Sequence, residues 1–428
     1  MVSFLAEFES LIKFLHLIGG LPFYWNSEDE TLQFKLRGFL IRNLIALALP
    51  FLGFTVMAGA LITFQEPALE LIDKESGFSP ADMFILTSAS VVSSVTTLCQ
   101  IVLFFKKKAA IIQFLENHDV FHSKHFKFIW NDDTKVFIQR KRMIQILLLI
   151  CMHLIVPITS YEFANRTVPE ASVYLKILHT IVATFGNILL YVVPIGIGCF
   201  YFYLILILSL KESFDQILQQ TSFKQLNNIA NNDNGIKTIN FPGSMMIESV
   251  DKSIEEELHL KMDCNFQNIG KIIEQSLELH RLVMELVDIL SPFLLLQFGT
   301  SFMLGTMMTY GTTALIFGNS DWHRILNSFY FASLALWHLM ILFNVCLSGQ
   351  ALENTCHKLS HALDDFIASQ NVFLGKPLKR DFAVLKERLR NASIYPFQSI
   401  KVNNSGFLAM LGTIVTYNIV LMQFKANE

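Results

Sequence analysis

Charged residues are scarce in this chain. Only 16% of its 428 residues are Asp, Glu, Lys or Arg, whereas 52% are hydrophobic. A surface that faces water needs more charge than this, so the composition argues against a soluble protein and indicates helices that lie in a lipid bilayer. The 39 Phe and 15 Met residues add bulky apolar volume for contacts with lipid and between helices.

Signatures of enzymes and of disulfide-rich proteins are also missing. The sequence has no Walker loop, no His-Glu-x-x-His, no Gly-x-Ser-x-Gly and no Cys-x-x-Cys. Of its six Cys residues, only Cys264 and Cys356 lie outside the apolar stretches, so no external disulfide framework is expected. The apolar stretches also lack the paired carboxylates of a membrane protease or a proton-coupled carrier. We therefore expect no enzyme, no cofactor, no metal site and no nucleic-acid partner.

Seven apolar stretches are each long enough to cross a bilayer, which takes roughly 20 mostly apolar residues in a helix. They lie at residues 39–64, 83–105, 144–163, 173–210, 286–317, 328–348 and 406–424. The fourth and fifth exceed one bilayer thickness, so we expect these helices to continue into the cytosol. The predicted fold class is therefore an all-α membrane protein with seven transmembrane helices and long cytosolic helix extensions.

The distribution of Lys and Arg predicts the orientation of these spans. Most of the 33 Lys and Arg residues lie before the first stretch or in the second, fourth and sixth connections. Two basic clusters, 106–108 and 140–142, adjoin span ends, where positive charge most strongly retains a loop in the cytosol. We therefore expect a cytosolic amino terminus and an extracellular carboxyl terminus. G-protein-coupled receptors have the opposite orientation, which argues against that class.

The same interpretation divides the chain into six segments. Residues 227–253 are rich in Asn, Gly, Ser and Lys, so we expect a flexible insertion there. Asn165 begins a glycosylation sequon in a predicted extracellular loop and is a candidate glycosylation site. The segments are a cytosolic amino-terminal segment (1–38), spans one to four (39–210), a cytosolic loop with the insertion and a helical extension (211–285), spans five and six (286–348), a cytosolic anchor region (349–405), and span seven with a short outside tail (406–428).

The last span carries the most specific pattern in the sequence. Thr416-Tyr417 is followed by five mostly apolar residues and then by Gln423-Phe424. This pattern resembles the carboxyl-terminal signature of the insect and arthropod gustatory receptors, which share a superfamily with the insect odorant receptors. Gly406-Phe407 at the start of the span and the Gly-Gly-Leu-Pro-Phe run at 19–23 add to the resemblance. Asn418 departs from it, because the family usually has an apolar residue there.

The resemblance implies a chemosensory receptor that is itself a ligand-gated, non-selective cation channel in the plasma membrane. It implies a homotetramer, or a heterotetramer with related receptors, around a central pore lined by the seventh helix. The implied pore residues, which recur near one helix face, are Thr413, Thr416, Val420, Gln423 and Phe424. In such a pore the Gln423 amide would coordinate a partly hydrated cation, and Phe424 would close the path by dewetting.

The resemblance also places a small-molecule agonist within the outer half of each subunit's helical bundle. Aromatic walls with a few hydroxyl groups suit a small organic ligand. The candidate contacts at that depth are Ser88, Ser90, His153, Thr159, Tyr161, His179, Thr184, Thr309, Tyr310, Tyr330 and Trp337. We expect the histidines to form hydrogen bonds between helices rather than to bind a metal.

Less specific interpretations of these residues stay open. Gln423 would bond a neighbouring helix, Phe424 would anchor the chain at the membrane interface, Tyr417 would pack on another helix, and Thr416 would return its hydroxyl bond to the preceding turn. The chain as a whole would then be a seven-span receptor or transporter without its own pore, or a modulatory subunit that needs a partner.

Overall fold

The computed structural model describes residues 3–17, 20–26, 31–35, 38–41, 43–44, 80–167, 173–174, 176–177, 180–181, 194–233, 252–316, 322–369 and 376–426. Most of these residues are helical. The helices are α1 (Ser3–Ala6), α2 (Glu9–Leu17), α3 (Pro80–His125), α4 (Asp132–Thr167), α5 (Pro194–Asp233), α6 (Lys252–Ile316), α7 (Trp322–Ser369), α8 (Lys376–Arg390) and α9 (Asn404–Ala426), with a short 3-10 turn at Pro396–Gln398.

A small β-hairpin follows α2 in addition to the predicted helices. Strand β1 (Phe23–Asn26) pairs antiparallel with β2 (Thr31–Phe34), so that Phe23 lies opposite Phe34. The Phe23 side chain is buried, and its ring stacks on Phe202 of α5 with the ring centroids 5.5 Å apart. Aromatic pairs of this kind stabilise a fold by more than the burial of their apolar area alone. The hairpin is therefore held against the helical bundle by its aromatic face.

Long apolar helices dominate the described part of the chain. Within it, four stretches have the length and hydropathy that crossing a membrane requires: Ile197–Gln220, Ile269–Ile316, Ile325–Asp365 and Asn404–Phe424. They overlap predicted spans four to seven. Predicted spans two and three lie within α3 and α4, whereas residues 45–64 of span one lie outside the described residues.

Two helices extend well beyond a bilayer, as the length of their apolar stretches predicts. The 65 residues of α6 correspond to a helix roughly 95 Å long. α5 continues to Asp233, so residues 227–233 of the predicted flexible insertion are helical, and residues 234–251 lie outside the described part. The helical extension predicted before span five is thus present as the first half of α6.

Helix α6 is the central element of the bundle. It packs along α7 and α3 and also contacts α5, α8 and α9. A layer of buried aromatic side chains joins three of these helices: the Phe293 ring of α6 lies 5.0 Å from Phe104 of α3 and 5.9 Å from Tyr203 of α5, between centroids. The rings pack at tilted angles of 55° and 52° and fill the interior between the three helices.

A proline interrupts the hydrogen bonds of α6 without ending the helix. Pro292 lies inside α6 and has no N–H, so the carbonyl of Asp288 loses its usual partner four residues later. The Lys107 ammonium of α3 donates to this carbonyl oxygen instead, at 3.2 Å. A neighbouring helix therefore satisfies the backbone group that the proline leaves free.

The start of α9 is fixed to α7. Asn403 is the N-cap of α9, because its side-chain oxygen accepts the Gly406 N–H at 3.1 Å. Its amide donates to Glu353 of α7 at 3.3 Å, and Lys401 pairs with the same carboxylate at 2.5 Å. A side chain at Gly349 of α7 would collide with the backbone carbonyl that precedes Asn403. The two segments therefore approach to backbone contact.

Candidate functional site: a polar cavity in the helical bundle

A small cavity lies inside the bundle where α3, α6 and α7 meet. Its volume is about 30 Å³, which is room for about two water molecules. Eight of its lining side chains are polar or aromatic: Ser93, Thr96, Thr97, Gln100, Gln297, Thr300, Trp337 and His338. Because apolar cavities stay dry whereas polar ones hold hydrogen-bonding guests, this lining indicates a site for a polar group.

Helical periodicity explains why the α3 side chains meet in this cavity. Ser93, Thr96, Thr97 and Gln100 follow one another at spacings of three, one and three residues, which places them on one face of a helix. All four are buried. Polar side chains in membrane helices face the bundle interior because lipid offers them no hydrogen bonds. The polar face of α3 is therefore turned toward α6 and α7.

Neutral hydrogen bonds link α3 to α6 along one wall of the cavity. The hydroxyl oxygens of Thr96 and Thr300 lie 2.6 Å apart, and since Thr300 donates to the preceding turn of its own helix, Thr96 is the donor of the pair. One turn further along, the Gln100 amide nitrogen donates to the Gln297 side-chain oxygen at 3.1 Å. Each of these hydrogen bonds joins two neutral groups and adds on the order of 1 kcal/mol to stability.

The opposite wall comes from α7. Trp337 and His338 are both buried there, with exposed fractions of 3% and 5%. Every side chain that lines the cavity is uncharged except for the titratable imidazole. The site therefore offers hydroxyl, amide and imidazole groups beside an aromatic wall, and no fixed charge.

Aromatic residues close one end of the cavity. One helical turn beyond Gln100 and Gln297, toward the basic cluster at 106–108, the rings of Phe104 and Phe293 pack with Tyr203. All three side chains are fully buried. This aromatic layer separates the polar cavity from the end of the bundle that carries the basic cluster.

The predicted ligand contacts fall into two groups among the described residues. Trp337 lines the cavity. Tyr310 is buried and Tyr330 is half-buried, but neither lines it. The Thr309 hydroxyl donates to the carbonyl of its own preceding turn at 2.7 Å, so its polar group is already satisfied. Ser88 and Tyr161 are half-buried elsewhere in the bundle.

Some predicted positions cannot be placed by the structure. The side chains of Ser90, His153, Thr159 and the sequon residue Asn165 lie outside the described part, as do the whole residues His179 and Thr184. Among the described residues, no cluster of three or more His, Cys, Asp or Glu side chains has the arrangement of a metal site.

Helix α9 leaves most of its surface uncovered in a single chain. Met410, Ile414 and Asn418 are its buried positions, and they recur every fourth residue, as one narrow helix face does. The predicted pore residues all lie on the exposed remainder: Thr413, Thr416, Val420, Gln423 and Phe424. The hydroxyl groups of Thr413 and Thr416 each donate to the carbonyl four residues earlier.

The same helix that walls the cavity also contacts α9. On α6, Phe302 meets Tyr417 of α9 edge to face, with ring centroids 6.3 Å apart. About three turns further along α6, the Thr313 hydroxyl lies 3.5 Å from the Met422 sulfur. Gln297 and Thr300 of the cavity wall precede both contacts on α6. Helix α6 therefore connects the cavity wall directly to α9.

Most cavity residues were absent from the predicted ligand contacts, although the sequence carries a signal for them. Ser93, Thr96 and Gln100 recur at helical spacing within an apolar span, and such a polar stripe marks a face turned to the bundle interior. The polar stripe on α3 does not show which face of which other helix it contacts. Gln297 lies 197 residues from Gln100, and only the tertiary structure brings the two together.

The helices and their buried polar site define a polytopic helical membrane protein. The family model described as 7tm Chemosensory receptor matches residues 8–428, so the chain belongs to this family of seven-transmembrane chemosensory receptors. No curated protein matches the chain.

Two solved structures have the same fold. The insect olfactory receptor OR5 from Machilis hrabei superposes with a TM-score of 0.60 at 14% sequence identity, over 99% of each chain. The same receptor in complex with eugenol superposes with a TM-score of 0.62 at 13% identity, again over 99% of each chain. At these identities the likeness shows the fold, which is that of the insect olfactory receptors.

Proposed function

We propose that this protein is a gustatory receptor of the plasma membrane that works as a ligand-gated, non-selective cation channel. Four subunits, identical or related, would surround a pore lined by α9. The amino terminus would lie in the cytosol and the carboxyl terminus outside, as the basic clusters at 106–108 and 140–142 favour. Gustatory rather than olfactory specificity rests on the Thr416-Tyr417 and Gln423-Phe424 pattern.

The observation that carries the proposal is the position of α6 between the cavity and α9. Gln297 and Thr300 wall the cavity, and Phe302 on the same helix meets Tyr417 of α9. A ligand that changes the position of α6 thereby changes the position of α9. The uncovered surface of α9 is what a helix at the axis of an oligomer presents before its partners are added.

Gating follows from the size of the cavity. At about 30 Å³ it holds about two water molecules, whereas sites for organic ligands usually measure hundreds of cubic ångströms. A ligand would therefore bind better to a conformation in which α7 and α6 stand further apart. Such a ligand shifts the population toward that conformation by its difference in affinity for the two states.

Whole-cell recording from cells that express the chain tests the pore. Gln423 is exposed near the end of α9, where its amide would contact permeating cations. Gln423→Ala should change relative cation permeability or single-channel conductance while surface labelling stays constant. Gln219→Ala, an exposed glutamine of α5, is the matched control and should leave permeation unchanged. Equal permeation in both variants would remove α9 from the pore.

The remaining alternatives separate in the same cells. A receptor without its own pore would respond only with a coexpressed G protein, and a transporter would take up substrate without current. A modulatory subunit would conduct only beside a second receptor chain.

Labelling of epitopes on intact cells tests the orientation, because a tag after Glu428 should react and one before Met1 should not. Enzymatic removal of glycans, with Asn165→Gln as control, tests the proposed glycosylation.

A further inference from the structure

His338 lies in the interior of the bundle, where the described residues give its side chain no hydrogen-bond partner. Its side chain lines the cavity on α7 and is 5% exposed. Within the part of the chain that the structure describes, neither ring nitrogen has a hydrogen-bond partner. A buried polar group without a partner is costly, and such a group in a native protein calls for an explanation.

The chemistry of the imidazole defines what would satisfy it. A neutral imidazole has one N–H donor and one nitrogen acceptor. A hydroxyl group is matched to this pair because it both donates and accepts. Water meets the same requirement, but so does the hydroxyl group of an organic ligand that displaces the water.

The other cavity residues favour the same chemistry. Thr96, Gln100, Gln297 and Thr300 offer hydroxyl and amide groups, and each of these can turn to donate to or accept from a hydroxyl. No described residue with a fixed charge lines the cavity to balance an ammonium or a carboxylate, so a charged ligand would lose its hydration without compensation. An apolar ligand would leave the imidazole unsatisfied.

We propose that the cavity is a subsite for the hydroxyl group of an uncharged organic ligand, and that His338 is the residue that selects for this group. The assignment rests on the proposed receptor function. It adds the chemical class of the agonist, an uncharged alcohol, phenol or polyol. Trp337 beside His338 supplies a flat wall for the carbon skeleton.

The test uses the purified full-length chain and probes that differ only in one functional group. The hydroxylated probes are cyclohexanol, phenol and inositol, the charged probes are cyclohexylamine and benzoate, and the apolar probes are methylcyclohexane and toluene. Binding is followed by ligand-detected NMR and by the thermal midpoint of unfolding. Currents from the same variants in cells give a separate functional readout.

Three variants make the comparison specific. His338→Leu removes both hydrogen-bonding atoms, and His338→Gln retains a donor and an acceptor. Asn344→Leu is the matched control, because Asn344 is buried on the same helix without a hydrogen-bond partner among the described residues, yet it does not line the cavity. The probes also partition into detergent or lipid. This background is the same for all variants, so a difference between variants reports binding to the protein.

The proposal expects at least one hydroxylated probe to bind more tightly than its charged and apolar counterparts. His338→Leu should weaken this binding by about tenfold, His338→Gln by less, and Asn344→Leu not at all. Equal loss in His338→Leu and Asn344→Leu, equal affinity for all functional groups, or no binding of any hydroxylated probe would overturn the subsite. Binding that depends on His338 but evokes no current would uphold the subsite and contradict the proposed channel.

Discussion

The interface between α3 and α6 differs in character along its length. Toward the α3 carboxyl end, Glu278 of α6 accepts hydrogen bonds from Lys124 and His125 at 3.0 and 2.8 Å, and Glu285 pairs with Asn117. Toward the other end, the contacts between the same two helices are the neutral bonds around the cavity. We call these regions the ionic half and the cavity half of the interface.

The difference shows how one pair of helices serves two purposes. Hydrogen bonds to a charged group are stronger than neutral ones and prefer a defined geometry. Hydroxyl and amide groups can exchange partners with a guest at little cost, since each is both donor and acceptor. We therefore expect the ionic half, together with the Glu353 cluster at the start of α9, to be a fixed base that moves less than the cavity half.

The largest expected effect comes from disturbing this base at Gly349. A side chain there would meet the carbonyl oxygen of Val402, and backbone cannot move aside as a flexible side chain can. Gly349→Val should therefore lower the free energy of unfolding by about 3 kcal/mol and separate α7 from the start of α9. Thermal unfolding of the purified chain, followed by intrinsic fluorescence, measures the loss.

Gly299→Ala is the control for that substitution. Gly299 lies in α6 in the cavity half, and a side chain added there meets no atom within 4 Å. Alanine is also the better helix former, so this variant should be neutral or more stable by up to about 1 kcal/mol. Similar losses in both variants would mean that the contact between Gly349 of α7 and the start of α9 is no more constrained than the cavity half.

A second, smaller effect is expected from acid, at a contact between α3 and α5 beside the ionic half. His122 of α3 lies beyond the predicted end of span two, and its Nε2 lies 3.0 Å from the Ser213 hydroxyl of α5. Burial lowers the pKa of His122 from 6.5 to about 4. The nearby charge of Asp119 acts in the opposite direction but is outweighed. The unfolded chain therefore binds a proton between these values while the folded chain does not.

The direction of the pH effect follows from that difference. Above pH 6.5 His122 is neutral in both states, and its contribution to stability is complete. As the pH falls from 6.5 toward 4, stability is lost, by on the order of 2 kcal/mol at about pH 5. His122→Gln should flatten the dependence of the thermal midpoint between about pH 7 and 5. An unchanged slope would show that other groups control the acid response.

The sequence alone predicts those structural features that depend on residues close together along the chain. The helices, their lengths and the span that contains Gln423 follow from apolar runs, which are local. Trp337, which the sequence analysis names as a candidate ligand contact, is buried and lines the cavity; its contact with a ligand stays a prediction. The hairpin of Phe23 and Phe34 does not follow, because its strands are short and packing against α5 stabilises them.

The cavity shows where local patterns stop being sufficient. His338 lies in an apolar span beside Trp337, and nothing in its neighbours along the chain distinguishes it from a histidine that is hydrogen-bonded to another helix. That no described residue hydrogen-bonds it is a property of the faces of α3 and α6 that it meets. Those faces are set by the packing of helices that are far apart in the sequence.

The smallest expected effect lies at the boundary between the two halves, where Lys107 donates to the carbonyl of Asp288. Lys107→Met keeps the length of the side chain but removes the donor, and the proline leaves that carbonyl no partner within α6. The free energy of unfolding should fall by about 1 kcal/mol or less, since the contact is exposed to solvent.

A double-mutant cycle with Pro292→Ala isolates this effect. Alanine restores the N–H that can bond Asp288 within α6, so Lys107→Met should cost nothing measurable in that background. The coupling energy between the two positions would equal the loss seen in Lys107→Met alone. If the loss is the same with Pro292 and with alanine, Lys107 stabilises the boundary by its charge rather than by replacing the missing helix bond, and the two halves are joined electrostatically.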